Sequence, residues 1–250
     1  MLIENPYAEL KFILSNRFGG VSVGEFDSLN VAYHVGDSKE NVYYNRQILL
    51  SKLESEKLPL VFMNQIHSNE VICVDKTILQ GRQEVEVQGD ALITNCPELA
   101  LMVMVADCNP IVIYDTKCRI LGVVHAGRRG VELQILTKTI QKMCNLFGSQ
   151  PSDLYGYIGA SIRVCCYEVQ EDVYSVFLQN EYLAMGVVQQ GEKYFLDLVR
   201  LLQMEWCRVG GLESALHICP ICSSCCTDFY SYRRERNCGR FCLVAFLKPC

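Results

Sequence analysis

Apolar residues in this chain come mostly in short clusters rather than long stretches. Runs at residues 11–14, 60–63, 71–74, 91–94, 101–106, 111–114, 120–124, 154–158, 215–218 and 241–246 have the length and composition of β-strands. A different period governs residues 41–57, where Val42, Leu49 and Leu53 fall on one helical face, and residues 131–146, where Leu133, Leu136, Ile140 and Met143 do. Residues 171–179 and 195–209 also read as helices. Strands and helices do not alternate as βαβ units, so the pattern predicts an α+β fold with a mixed sheet covered by helices. No repeat, low-complexity tract or Pro/Gly/Ser-rich linker divides the chain, which reads as one domain over residues 1–250.

Two of the runs carry chemistry at their ends. Cys108 follows the run at 101–106, and His125 follows the run at 120–124. Between them, Asp115-Thr116-Lys117-Cys118 reads as a hairpin turn. A two-residue turn at Thr116-Lys117 places Asp115 opposite Cys118, and therefore Cys108 opposite His125, with Cβ atoms roughly 5 Å apart. That separation suits two ligands of one metal ion. His67, delivered by the strand at 60–63, supplies a third donor if the fold brings it there. Cys-His-His with an open fourth position is the layout of a catalytic zinc site. After His125, Gly127-Arg128-Arg129-Gly130 opens a helix, and a glycine-rich turn before a helix, flanked by arginines, suits an anion. A second glycine turn, Gly19-Gly20, permits positive φ or close backbone approach.

Composition narrows the field. Half of the 250 residues are hydrophobic, enough for a sizeable core, and the formal net charge is -5. With no Lys/Arg-rich block, a nucleic-acid partner is not expected. No apolar run is long enough for a membrane span, and the first residues lack the layout of a signal peptide, so the expected location is cytoplasmic. The fifteen cysteines are then expected to be thiols or metal ligands. Cys219, Cys222 and Cys225 keep C-x2-C-x2-C spacing, which suits a structural zinc or an iron–sulfur cluster, although Phe229 stands at the offset where a ferredoxin carries its fourth cysteine.

Taken in order, Arg17-Phe18-Gly19-Gly20-Val21-Ser22, Asn30, Gly36-Asp37, Asn45-Arg46, Gln65-Ile66-His67, Gly89-Asp90-Ala91, Ala106-Asp107-Cys108, His125-Ala126-Gly127, Ile158-Gly159-Ala160-Ser161-Ile162, Cys226-Thr227, Ser231-Tyr232-Arg233-Arg234 and Gly239-Arg240 resemble the YfiH family. Its members are also called multicopper polyphenol oxidoreductases or laccase-domain proteins, and the resemblance spans nearly the whole chain. It implies mixed β-sheets packed between helices in α/β/β/α-like layers, similar to the catalytic domain of cytotoxic necrotizing factor. It implies zinc held by His67, Cys108 and His125. It also implies purine nucleoside chemistry: phosphorolysis of adenosine, inosine, guanosine and methylthioadenosine, and deamination of adenosine. A role in peptidoglycan editing is attached to the family as well. Arg128 departs from the family pattern, which has Trp after His-Ala-Gly.

Zinc with an open position lowers the pKa of bound water to about 7. Deamination also needs a carboxylate to move protons, for which Asp107 and Asp90 are the candidates. Phosphorolysis needs phosphate held by arginines, for which Arg17, Arg46, Arg129 and Arg233 are the candidates, with Gln65 beside the metal for substrate. The expected partners are a purine nucleoside and phosphate, and the expected assembly is a monomer or weak homodimer. Three alternatives stand beside this reading. Cys108 and His125 suit a cysteine hydrolase or deamidase. Copper polyphenol oxidase chemistry needs many histidines, and the chain has four. A non-enzymatic metal-binding role would centre on the cysteine run at 219–226. His34 and His217 are read as structural or exposed.

Overall fold

A computed structural model describes residues 1–249; Cys250 lies outside them. Two six-stranded sheets and one three-stranded sheet form the frame. With strands and helices numbered in chain order, the first sheet runs β1 (Leu2–Tyr7), β2 (Leu10–Leu14), β15 (Phe241–Leu247), β7 (Ala100–Val105), β3 (Leu60–Asn64) and β5 (Glu84–Gln88). The second runs β14 (Leu216–Ile218), β10 (Leu154–Ile158), β8 (Asn109–Asp115), β9 (Ile120–Ala126), β6 (Ala91–Thr94) and β4 (Val71–Cys73). The small third sheet runs β11 (Glu168–Val169), β13 (Lys193–Leu196) and β12 (Val187–Gln190). Both large sheets mix parallel and antiparallel pairs.

The order of layers follows from which side chains each strand points where. Leu101, Val103 and Val105 of β7 face Leu92, Val112 and Val123 of the second sheet in one apolar cluster. The alternate residues Ala100, Met102 and Met104 face outward, under Leu49 and Leu50 of helix α1 (Lys39–Lys52). On the far side, Ile93, Ile111, Ile113 and Val124 pack beneath α3 (Ile135–Phe147) and α6 (Leu198–Arg208). Helix, sheet, sheet and helix therefore stack in α/β/β/α order. Both faces of β7, β8 and β9 are buried, which is why these strands read as unbroken apolar runs.

The differences from the sequence reading have local causes. The helix expected over 131–146 is two helices, α2 (Arg128–Glu132) and α3, broken where Gln134 takes a left-handed φ of 58°. Leu133, assigned by spacing to the core face, sits in that break and is 40% exposed. The helix expected over 195–209 begins only at Leu198, because the Asp197 carboxylate caps it by accepting from the Arg200 amide and Phe195-Leu196 belong to β13. Helix α1 stops at Lys52 rather than at Lys57. Tyr232–Glu235, within the motif at 231–234, forms the short helix α7, capped by the Ser231 hydroxyl. Strands β1, β5, β11 and β12 and the short helices α4 (Glu171–Leu178) and α5 (Glu181–Ala184) complete the frame. The strands missed by the apolar runs are charge-rich or largely exposed, as Glu-Val-Glu-Val-Gln in β5 illustrates. No helix among the described residues is long and apolar enough to cross a membrane.

Candidate metal centre and active-site cavity

The hairpin turn is longer than two residues. Asp115 pairs with Ile120 and Pro110 with His125, leaving four residues in the turn. The buried Asp115 carboxylate sets this length by accepting from the amides of Lys117 and Cys118, and Arg119 closes the turn with a left-handed φ of 57°. The register is thus shifted by two, and Cys108, one step beyond the ladder, continues it opposite Gly127 rather than His125. A shift of two preserves the side of the sheet. Cys108 and His125 remain diagonal neighbours on one face, so the two side chains still meet despite the shifted register.

His67 arrives from beyond the end of β3. Its backbone takes a left-handed φ of 57°, and Asp107 beside Cys108 takes 91°. Both conformations are uncommon for non-glycine residues and fall at the same site. The potential donor atoms of His67, Cys108 and His125 all lie within 4.8 Å of one another. The two imidazole rings meet edge to face, with centroids 4.8 Å apart. Gly127 makes room for this convergence. A Cβ there would stand 2.9 Å from Cys108 Sγ and 2.9 Å from His67 Nδ1, closer than real Cβ atoms approach.

Asp90 organises the centre from behind. One carboxylate oxygen takes the hydrogen bond of His125 Nδ1 at 2.8 Å and that of the His67 amide at 3.0 Å. The other accepts from the amide and hydroxyl of Ser68. His125 Nε2 is thereby left as the ring's donor atom, the arrangement of a carboxylate–histidine–metal relay. Burial disfavours charge on His125, but the neighbouring Cys108 sulfur and the Asp90 carboxylate outweigh it and raise its pKa to about 9. Burial, together with His125 and the nearby arginines, lowers the pKa of His67 below the ordinary imidazole value, keeping that ring neutral.

The three donors open onto a cavity of about 900 Å³. Its wall holds Arg128, Arg233, Arg236 and Arg240, an unusual concentration of cations for a chain of net charge -5. Tyr167, whose hydroxyl burial pushes up to about 12, lines it as a neutral ring, with Arg233 stacked 5.3 Å from the ring centre.

The residues singled out from sequence divide sharply here. His67, Cys108, His125, Gln65, Asp107 and Arg233 line the cavity. Gln65 spends its amide on the backbone of Met104, donating to its carbonyl and accepting from its N–H, and so extends the pairing of β3 with β7. Asp107 accepts from the Ser223 hydroxyl and the Arg233 amide, one bond on each carboxylate oxygen. Asp90 is fully buried behind His125 and does not reach the cavity. Nor does Arg46, which is 1% exposed, wedged between the rings of Tyr33 and Phe62 and paired with Glu84 at 2.9 Å. Arg17 is turned toward Glu235 and the Tyr230 ring, and Arg129 faces solvent from α2. In the Gly19-Gly20 turn, Gly20 packs against the Ser28 carbonyl rather than a ligand. His34, read as structural or exposed, lines the cavity with Tyr167, Glu168 and Asp172. No local motif marks those four positions. Tyr232 and Arg240 lie within the motifs at 231–234 and 239–240 that carry the family resemblance.

An α/β/β/α sandwich with a Cys-His-His cluster on an arginine-lined cavity defines a pocket protein with a candidate metal site. The chain belongs to the family described as multi-copper polyphenol oxidoreductase laccase, also known by the name YfiH, whose model matches residues 11–248. It is 36% identical over 239 residues to a purine nucleoside phosphorylase of Corynebacterium glutamicum, covering 94% of this chain and 93% of that protein. It is 30% identical over 238 residues to a purine nucleoside phosphorylase of Bacteroides thetaiotaomicron, covering 92% of this chain and 88% of that one. Among solved structures, YlmD from Geobacillus stearothermophilus superposes with a TM-score of 0.91 at 28% identity, covering 98% of this chain and 94% of that chain.

Proposed function

We propose that this protein is a zinc-dependent purine nucleoside enzyme, acting as one catalytic domain, that carries out phosphorolysis of adenosine, inosine, guanosine and methylthioadenosine and deamination of adenosine. The observation that carries the reading is the convergence of His67, Cys108 and His125 on a cavity walled by four arginines. The donor set fits zinc: two imidazoles and one thiolate, with one imidazole locked by a carboxylate and a glycine where any Cβ would crowd the ligands. It does not fit a multicopper cluster, which needs more imidazoles than the four the chain contains. Zinc held there would supply Lewis acidity and a water of lowered pKa.

The chain's own residues account for the rest. Arg233, Arg236, Arg240 and Arg128 give phosphate bidentate donors, and their summed field draws an anionic co-substrate into an otherwise acidic protein. Tyr167 and Tyr232 offer flat faces to a purine. Asp107 holds the Arg233 backbone in position, and Asp90 orients both histidines. The cysteine hydrolase or deamidase reading draws support from the Cys108 sulfur lying beside the His125 ring.

Incubation of zinc-loaded protein with adenosine, with and without phosphate, separates the possibilities by product. Adenine formed only with phosphate reports phosphorolysis, and inosine reports deamination. Cys108→Ala is expected to abolish both, and so is chelation. Activity that survives chelation but not Cys108→Ala establishes the thiol enzyme instead. Failure to convert any purine nucleoside overturns the proposal.

A further inference from the structure

The cysteine run at 219–226 does not close on itself. Cys219 and Cys226 turn into the core between the sheets. Cys222 and Cys225 turn the other way, toward Cys165 and Cys166 on the loop that follows β10. The four sulfurs all lie within 4.8 Å of one another, in a group separate from His67, Cys108 and His125. Cys165 Sγ is 3.8 Å from Cys166 Sγ and 3.6 Å from Cys225 Sγ, and Cys166 Sγ is 3.2 Å from Cys225 Sγ. Zinc–sulfur bonds of about 2.3 Å in a tetrahedron set ligand sulfurs roughly 3.8 Å apart. A polynuclear iron–sulfur cluster places several irons between its cysteines and spreads them further.

The surroundings are those of a thiolate centre. Backbone N–H groups of Arg163, Cys225 and Ser224 donate to the Cys222 sulfur, the Arg163 amide from 3.4 Å. Such donors stabilise a sulfur that carries charge. The Arg163 guanidinium donates to the carbonyls of Gly159 and Cys219, yet its Nη1 is buried with no hydrogen-bond partner. A buried cation left short of a partner calls for negative charge close by, and four thiolates on one divalent ion carry a net charge of -2.

We propose that Cys165, Cys166, Cys222 and Cys225 hold a second zinc ion, closed by four protein ligands and structural in role. The ion ties two loops together behind the active-site wall. The first loop continues into Tyr167 and Glu168, which line the cavity. The second carries Ser223, whose hydroxyl donates to Asp107 and whose amide donates to the Ser161 carbonyl. Arg233 fastens the first loop by donating to the carbonyls of Cys166 and Glu168, and its backbone amide donates to the same Asp107 carboxylate that accepts from Ser223. No ligand is shared with the first centre, so this proposal stands independently of the nucleoside reading.

Zinc per chain, measured by elemental analysis of protein purified anaerobically under reduction, tests it. Wild type is expected to hold two zinc ions, Cys222→Ser/Cys225→Ser one, and His67→Ala/His125→Ala one. If the cysteine variant does not fold, cobalt substitution of the His67→Ala/His125→Ala protein reads the site directly, through the intense thiolate-to-cobalt absorption of a four-sulfur tetrahedral ion. One zinc per chain in wild type that persists in Cys222→Ser/Cys225→Ser overturns the proposal. So does iron in place of zinc, a Cys166–Cys225 disulfide in the purified protein, or the absence of that cobalt band. A single zinc lost only in Cys222→Ser/Cys225→Ser overturns the first centre instead.

Discussion

His67, Cys108 and His125 hang from the ends of three strands in the packed sandwich, whereas Cys165, Cys166, Cys222 and Cys225 hang from two loops at its edge. The first group has three donors, a buried carboxylate behind them and a cavity in front. The second has four donors, all sulfur, with backbone amides behind them. Three donors leave a coordination position for chemistry, and four leave none. Rigid strand ends suit a site whose geometry must hold while a substrate reacts, while loops gain order from an ion that crosslinks them. With both sites filled as proposed, chemistry and tethering would be separated by donor count and by the kind of element that presents the donors.

The sharpest way to break the comparison is to crowd the strand-borne centre without touching a ligand. Gly127→Ala sets a methyl group 2.9 Å from two ligand atoms. Turnover is expected to fall on the order of 10²-fold, as displacements near 1 Å do in active sites, while zinc at the four-cysteine site stays bound. Kinetics together with zinc content checks both halves. Unchanged turnover would mean that the convergence of ligands tolerates slack and is not a catalytic geometry.

Asp90→Asn probes the same centre one residue further back. It keeps the shape but weakens the acceptor that locks His125, and zinc affinity there is expected to drop about 10–100-fold. Competition against a fluorescent chelator measures it. Equal affinity in the variant would remove Asp90 from the account.

The smallest effect comes from a buried polar group that needs no ion at all. Glu205 is fully buried between α3 and α6, accepting from the Thr137 amide at 2.7 Å. Burial raises its pKa above the ordinary carboxylate value, and its hydrogen bonds only partly offset this. A raised folded-state pKa gives stability that is full below the unfolded value, near 4.5, and is lost as pH rises through the folded value. Glu205→Gln keeps the acceptor and loses the titration. The variant is expected to gain on wild type in Tm as pH rises above 4.5, because the wild-type carboxylate alone must ionise in the buried site. Melting curves across that range check it, and a pH-independent difference would contradict the assignment.

Much of this was legible beforehand because burial on both faces writes itself into sequence. The runs that became β7, β8, β9 and β10 lie between two covered faces and contain little but apolar residues. Charged, half-exposed β5 and the small sheet around β13 carry no such mark. The convergence of Cys108 and His125 was legible for a second reason. The side of a strand survives an even register error, so misjudging the turn after Asp115 by two residues left Cys108 and His125 together.

Local chemistry along the chain thus determined an α+β fold of mixed strands covered by helices and put Cys108 and His125 on one face of a hairpin, while the layered order came with the family resemblance. Which arginines face the cavity was settled only by packing, since Arg46 and Arg233 are the same side chain in one dimension, yet one is sealed between Tyr33 and Phe62 and the other stacks on Tyr167. The partners of Cys222 and Cys225 were likewise beyond any spacing rule. They lie about sixty residues away, at Cys165 and Cys166, and only the pairing of β10 with β14 brings the two loops side by side.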